Sequence, residues 1–461
     1  MKKLFPDIKK EELKEIIYDQ DGNERGKQIV LLPTGAGKSL CFLVPSLLID
    51  GPTLILYPLL ALMSDQQRRM EEGNMDIVVF KGQQTKEQRQ ENFEKVKNGA
   101  KVILANPEVL QSEKLLEEIA KFNIKHIAID EAHCVSEWGD TFRPAYTTVG
   151  NIIKKLGNPV VTAFTATASP TVLERISQIM FDGNAHILRS ESDRPNIIYH
   201  VVKTATKEKT ALKYAELSEK PLIVFCATRK RAENLSKTFA EYFGYEKVKF
   251  YHAGLEKSEK DKIEKWFYPK TDAILCSTCA FGMGVDKKDI RTVIHLDPPP
   301  TAESYIQEAG RGGRDGKISN AILLWSYENK FDSLKFSENS RERVLHKFAE
   351  TTDCRRQILL DALGGEKTVC SGCDNCNGSS IHYANDEKIA LKFIKRFNKN
   401  FSVDELETEL QALFNKINFE NNKLRFWEFS DMRQIINSLL KQEKIKVCKF
   451  PWKNKVKILS N

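Results

Sequence analysis

The stretch Pro33-Thr34-Gly35-Ala36-Gly37-Lys38-Ser39 places two glycines, a lysine and a hydroxyl within seven residues, a set suited to holding a chain of phosphates. Gly35 and Gly37 let the backbone curl until its amides face phosphate oxygens, Lys38 is placed to reach the β- and γ-phosphates, and the Ser39 hydroxyl can bind magnesium. Leu32 stands where the strict G-x-x-x-x-G-K-[ST] pattern has its first glycine, so the assignment also draws on its strand and helix context. Asp130 and Glu131 follow the apolar run 126–129. Adjacent carboxylates at a strand end can divide the labour, Asp130 holding the magnesium shell and Glu131 polarising the attacking water as general base. Arg311 and Arg314 lie three residues apart; on a helix they would present both guanidinium groups on one side, and one could act as an arginine finger. Cys354 and the run Cys370-x-x-Cys373-x-x-Cys376 offer four soft ligands, which suits a tetrahedral structural zinc ion; an iron–sulfur cluster is the alternative.

These groups need elements to position them. Short apolar runs at 28–32, 53–57, 77–80, 102–105, 126–130 and 160–164 alternate with helical patterns, and a second series follows at 222–226, 248–251, 273–277, 292–296 and 321–325. Such alternation predicts two α/β domains, each a parallel sheet covered by helices, with a ligand in the cleft between them. The polar stretch 183–196, which contains Arg194-Pro195, is the expected hinge. Residues 331–365 are charged and helical in period. Beyond the cysteines, 388–397 reads as a helix, Ser402 and Glu405 as a capping box opening a second, and 429–440 as a third. Two strands at 444–449 and 455–459 complete the pattern of a winged helix. The expected divisions are 1–200 and 201–335 for the two α/β domains, 336–380 for a zinc-binding module and 381–461 for a winged-helix domain.

Composition sets the class. Charged residues at 29% and apolar residues at 41% fit a folded protein rather than a disordered one. The most apolar stretches are broken by Pro45 and Pro58 and fall short of the ~20 residues of a membrane helix, and no signal-peptide pattern opens the chain, so a cytoplasmic location is expected. The net charge of +8 is concentrated at the C-terminus, where seven lysines between 441 and 457 face one acid, Glu443; this is either a solvated face or a phosphate-binding edge. The other six cysteines occur singly and are expected to be mostly small core residues.

Taken together these motifs resemble superfamily 2 helicases, and the flanking residues narrow the resemblance to the RecQ family over nearly the whole chain. Tyr57-Pro58-Leu59-Leu60-Ala61-Leu62-Met63 is similar to motif Ia, Ala163-Phe164-Thr165-Ala166-Thr167-Ala168 to motif III, and Tyr251–Leu255, Ala280–Asp286 and Gln307–Asp315 to motifs of the second domain. The resemblance implies ATP as substrate with Mg2+ and Zn2+ as cofactors. It adds Thr34, Ala36, Gly284 and Asp286 to the nucleotide-binding set and Gln307 to the catalytic set of Lys38, Asp130, Glu131, Arg311 and Arg314. Cys134 to Tyr146 is similar to the family's aromatic-rich loop, in which Trp138 and Phe142 would stack on single-strand bases and Arg143 would contact phosphate. Glu137, Asp140 and Thr141 depart from the usual residues there, so altered coupling of DNA binding to hydrolysis is expected. The Phe-Arg-x-x-Gln that usually precedes the phosphate loop has no equivalent glutamine here, which leaves nucleotide choice open.

The family's winged helix binds duplex DNA, which gives the lysine run a purpose: Lys449, Phe450, Trp452 and Lys453 sit at the expected wing tip, with Trp452 a candidate wedge. The implied function is ATP-dependent unwinding of DNA with 3′ to 5′ movement on single strands, in repair or recombination. The partners are single-stranded and duplex DNA, no membrane is involved, and a monomer in the cytoplasm, nucleoid-associated if bacterial, is expected, with no accessory domain after Asn461. The alternative is a DNA-stimulated ATPase that remodels or anneals DNA without processive unwinding.

Overall fold

The computed structural model describes residues 26–32, 37–137, 144–166, 168–189, 193–281, 287–338, 340–365, 367–378, 386–422, 427–449, 451–452 and 454–459. They fall into two compact units, one within Met1–Arg194 together with Leu360–Lys367, the other within Pro195–Gly282, Lys287–Leu359 and Thr368–Asn461.

The first unit is built on a seven-stranded sheet of β1 (Lys27–Leu31), β2 (Thr53–Leu56), β3 (Ile77–Phe80), β4 (Val102–Ala105), β5 (His126–Ile129), β6 (Val160–Thr165) and β7 (His186–Arg189). Its spatial order is β3-β4-β2-β5-β6-β1-β7, and every pairing is parallel. Strands β2 to β5 are buried along their whole length, as a sheet covered on both faces requires. One face packs Leu54, Leu56, Ile103, Ile127 and Ile129 under helices, and the other packs Ile55, Val102, Leu104, Ala128 and Phe164.

Strand β7 lies inside the stretch expected to be a polar hinge. It pairs only with β1, at the sheet edge, and most of it is exposed. An edge strand needs one partner and one covered face, so it can do without the apolar run by which the inner strands were recognised.

A close approach of helices fixes one glycine in this unit. A methyl group on Gly150, in the helix Val149–Lys155, would lie 2.2 Å from the Ile179 carbonyl oxygen of the helix Pro170–Phe181. Gly150→Ala is therefore expected to destabilise the unit by about 2 kcal/mol although alanine is the better helix former. Urea unfolding with an unchanged midpoint would show that the helices can separate freely.

The second unit contains a six-stranded parallel sheet in the order β10-β11-β9-β12-β13-β8. Its strands are β8 (Ile197–Lys203), β9 (Leu222–Phe225), β10 (Val248–Tyr251), β11 (Ile274–Ser277), β12 (Thr292–His295) and β13 (Ser319–Trp325). Strand β8, which spans the expected division at residue 200, belongs wholly to this sheet and pairs along its full length with β13. The charged segment that follows forms Tyr327–Ser333, a short 3-10 turn at Arg341–Arg343, Val344–Glu350 and Arg355–Ala362.

After the cysteines come the helices Asp386–Arg396, Val403–Asn422 and Phe429–Lys441, then the antiparallel hairpin of β14 (Ile445–Val447) and β15 (Val456–Ile458). The expected capping box is present: Ser402 N donates to Glu405 Oε2 at 2.6 Å, and Glu405 N to Ser402 Oγ at 3.4 Å. Ala390, Ile394, Leu406, Leu410, Met432, Ile436 and Val456 form this module's own core. Among the single cysteines Cys134, Cys226 and Cys276 are buried, Cys448 is half-buried, and Cys41 and Cys279 are exposed, so the expected core role holds for three of the six. No helix among the described residues is long and apolar enough to cross a membrane.

Candidate functional site

Strands β1 and β5 flank β6, so whatever follows their carboxyl ends meets across the end of β6. Gly37, at φ 86°, turns the chain into the helix Lys38–Leu48, a left-handed conformation that suits glycine. Lys38 Nζ lies 3.0 Å from Glu131 Oε1 and 3.8 Å from Asp130 Oδ1. The two carboxylates thus already hold one cation between them, which is the property a magnesium site needs. Ser39, half-buried in the first turn of the same helix, adds the hydroxyl. Glu131 itself sits at φ 48°, an uncommon conformation for a residue with a side chain, and its amide donates to Asp130 Oδ1 at 2.9 Å. Burial, reinforced by the Glu131 charge and opposed by Lys38, pushes the Asp130 carboxyl up to about 6. Pro33, Thr34, Gly35 and Ala36 lie outside the described residues.

Two neighbours of this centre were not singled out in the sequence. His133 Nδ1 lies 3.1 Å from Thr165 Oγ1 and 3.4 Å from Glu131 Oε2, linking the acidic pair to the end of β6. Tyr57 is fully buried, and burial together with the charge of Asp130 holds its phenol well above the ordinary value. Tyr57 stands within the stretch 57–63 quoted above and His133 two residues beyond Glu131, so the signal was there, but no spacing rule could say that they converge.

In the second unit the helix Ala302–Ala309, capped by Thr301 whose hydroxyl accepts from Ser304 N, stops at Gly310. Arg311 and Arg314 therefore lie in turns, and the helical placement expected for the pair is corrected: the ending follows from how closely this loop packs. A methyl group on Gly312 would lie 2.2 Å from Ser319 Oγ, and one on Gly313, at φ 57°, would lie 2.4 Å from Asn196 Nδ2. Asn196 Nδ2 donates to the carbonyls of Gly313 and Lys317, both at 2.7 Å. Arg311 is 5% exposed; Gln307 and Arg314 are half-buried. Gly284 and Asp286 lie outside the described residues.

The thiols of Cys354, Cys370, Cys373 and Cys376 lie within 4.8 Å of one another, the metal-competent cluster found among the described residues. A tetrahedral zinc ion with bonds of ~2.3 Å needs sulfur separations of ~3.8 Å, so the cluster fits with slight contraction. Backbone amides already face the sulfurs: Gln357 N donates to Cys354 Sγ at 3.5 Å and Cys376 N to Cys373 Sγ at 3.4 Å. Burial raises the Cys373 thiol, but the Cys376 and Arg355 amides and the neighbouring thiols outweigh it and leave the group below its ordinary value. Around the cluster Arg355 donates to Phe348 O at 2.6 Å and to Asp374 Oδ1 at 2.5 Å, and Arg356, fully buried, donates to Gly372 O at 3.1 Å.

On the C-terminal hairpin Lys446 and Lys457 are direct cross-strand partners. Like charges placed opposite each other weaken a hairpin. Lys449 is exposed, and Trp452 is 50% exposed with Lys399 Nζ 4.1 Å from its ring centre. Trp138, Phe142, Arg143, Phe450 and Lys453 lie outside the described residues.

Comparison with known proteins finds three family matches along the chain. The DEAD/DEAH box helicase family matches residues 8–176, the helicase conserved C-terminal domain matches 206–316, and the RecQ zinc-binding domain matches 329–377. The chain is 39% identical over 357 residues to the probable ATP-dependent DNA helicase RecS of Bacillus subtilis, covering 73% of this chain and 71% of that protein. It is 30% identical over 426 residues to the ATP-dependent DNA helicase RecQ of the same organism, covering 87% and 70%. Against RecQ of Pasteurella multocida, 30% identical, the match covers 86% of this chain and 65% of the relative. Among solved structures, the DUF1998 helicase MrfA bound to DNA superposes with a TM-score of 0.58 at 18% identity, covering 100% of this chain and 61% of that one. Mss116p bound to single-stranded RNA and AMP-PNP gives 0.57 at 18% identity, covering 92% and 84%. Likeness at that identity concerns the fold.

Proposed function

Since the chain belongs to the RecQ family of helicases, we propose that it is an ATP-dependent DNA helicase that moves 3′ to 5′ on single-stranded DNA and separates duplexes during repair or recombination in the cytoplasm. The observation that carries this reading is the meeting of Lys38 with Asp130 and Glu131 at the carboxyl end of a parallel sheet. Without nucleotide, Lys38 neutralises the two acids; with ATP bound, it transfers to the β- and γ-phosphates and frees Glu131 to act as general base on water. Ser39 and Asp130 would hold magnesium, which neutralises charge on the phosphates when bound. Thr34, Gly35, Ala36 and Gly37 line the phosphate loop in this reading, with Gly284 and Asp286 contributing from the second α/β domain. Arg311 or Arg314 supplies the cation that stabilises the departing γ-phosphate, with Gln307 beside it.

The division of labour along the chain is part of the proposal: two RecA-like domains, a zinc module over 336–380, and a winged-helix domain over 381–461 that grips duplex DNA. Lys446 and Lys457 face the phosphates, Lys449 and Lys453 extend that face, and Trp452 and Phe450 stand at the junction. Trp138, Phe142 and Arg143 would sense single-stranded DNA beside Glu131.

Strand release from a 3′-tailed and a 5′-tailed duplex, with ATP and magnesium and beside GTP, tests the reading. Release of the 3′-tailed substrate alone is expected, and Trp452→Ala is expected to slow it several-fold, about the effect of one lost base-stacking contact. DNA-stimulated hydrolysis without strand release would favour a remodelling switch instead.

A further inference from the structure

One buried carboxylate ties the C-terminal module to the second sheet. Asp386 opens the helix Asp386–Arg396 and has no exposed surface. Its Oδ1 accepts from Glu387 N of its own helix at 2.8 Å. Its Oδ2 accepts from Thr204 Oγ1 and Thr206 Oγ1, both at 2.8 Å, and from the amides of Ala205 and Thr206, both at 3.1 Å. Residues 204–206 join the end of β8 to the helix Lys207–Leu217. The carboxylate therefore sits at the N-termini of two helices, one from each module, where both backbone dipoles favour negative charge. Thr206 occupies the cap position of Lys207–Leu217, yet its side chain makes no capping bond there and donates to Asp386 instead.

Ala205 packs against the C-terminal module's core, and the polar contacts around this joint include ion pairs. Lys209 Nζ lies 3.2 Å from Glu428 Oε1 and 3.7 Å from Asp431 Oδ2, and Lys441, more than half exposed, pairs with Glu328. The pairs to Glu428 and Glu328 have an exposed acid, which tolerates many geometries, and the largely buried Lys209–Asp431 pair is a single contact at 3.7 Å, whereas the Asp386 carboxylate is a buried anion whose several donors together accept one geometry. The middle of β8 contacts the zinc module. Tyr199 bridges to Cys373, and Val201 N donates to Asp374 Oδ2 at 2.9 Å. A single edge strand thus mounts both accessory modules, at 199–201 and at 204–206.

We propose that Asp386 is a positioning residue that locks the C-terminal module to the end of β8, so that motion of the second α/β domain reaches the duplex-gripping hairpin instead of being lost in a loose joint. This rests on the helicase reading above. The test uses the full chain with Asp386→Asn and, because that variant can fold poorly, Thr206→Val, which removes one donor at nearly constant volume. ATP hydrolysis on single-stranded DNA, duplex separated per ATP, and hydrogen exchange over 204–206 and 386–396 are measured together. Hydrolysis is expected to stay within about twofold of the unmodified chain, while separation per ATP falls by about tenfold in Asp386→Asn and by about threefold in Thr206→Val, with faster exchange at both segments. Unchanged separation per ATP in both variants overturns the proposal. So does an equal fall in hydrolysis and separation, which would mark a role in folding alone. An unmodified chain that hydrolyses ATP without separating strands overturns the helicase reading instead, and with it this role.

Discussion

Lys38→Ala lowers DNA-stimulated ATP hydrolysis by about 10²–10³-fold and abolishes strand separation, the loss expected when one preorganised charge is removed from a phosphoryl-transfer site. The argument rests on what Lys38 touches. Its ammonium lies within 4 Å of both acids, so the same group that would meet the phosphates also balances Asp130 and Glu131 when no nucleotide is bound. Removing it leaves two carboxylates facing each other, one of them already pushed up by burial. Glu131→Gln separates the roles: hydrolysis falls by a similar factor while ATP binding is retained, because the lysine remains. Arg311→Ala is expected to lower hydrolysis with little change in ATP affinity. Steady-state hydrolysis together with equilibrium binding of a fluorescent ATP analogue checks all three, and a Lys38→Ala protein that still hydrolyses ATP at the unmodified rate would remove this site from the chemistry.

Cys373→Ser is expected to release the bound metal and lower the melting temperature of the second unit by roughly 10 °C. Cys373 is fully buried, its thiol is held below the ordinary value, and its backbone forms the bridge to Tyr199, so the damage spreads from the cluster to β8. The loss is smaller than in an isolated zinc finger, because Arg355 and Arg356 brace the same segment through Asp374 and Gly372. One equivalent of zinc in the purified chain, absent from the variant, is the expected metal analysis. Visible absorbance characteristic of an iron–sulfur cluster would replace that assignment.

The sequence by itself determined the layered plan and the family resemblance. Short apolar runs alternating with helical patterns announce the strands of a parallel sheet, and the expected ranges at 77–80, 102–105 and 248–251 coincide with β3, β4 and β10, of which β4 is an inner strand and β3 and β10 stand at sheet edges. Cysteine spacing named the four thiols that converge, and Ser402 with Glu405 marked a helix start, because capping is a local property of three or four residues. Only the tertiary structure decided the rest. Strand β7 is mostly exposed and β8 carries His200 and Lys203 among its apolar residues, so their pairing with β1 and β13 rests on the assembled sheets, and Arg311 and Arg314 leave the helix because Gly312 and Gly313 must pass close to Ser319 and Asn196. Asp386 reads in the sequence as an ordinary acid at a helix start. That its carboxylate is buried against Thr204, Ala205 and Thr206, some 180 residues earlier in the chain, depends on long-range packing that no local spacing encodes.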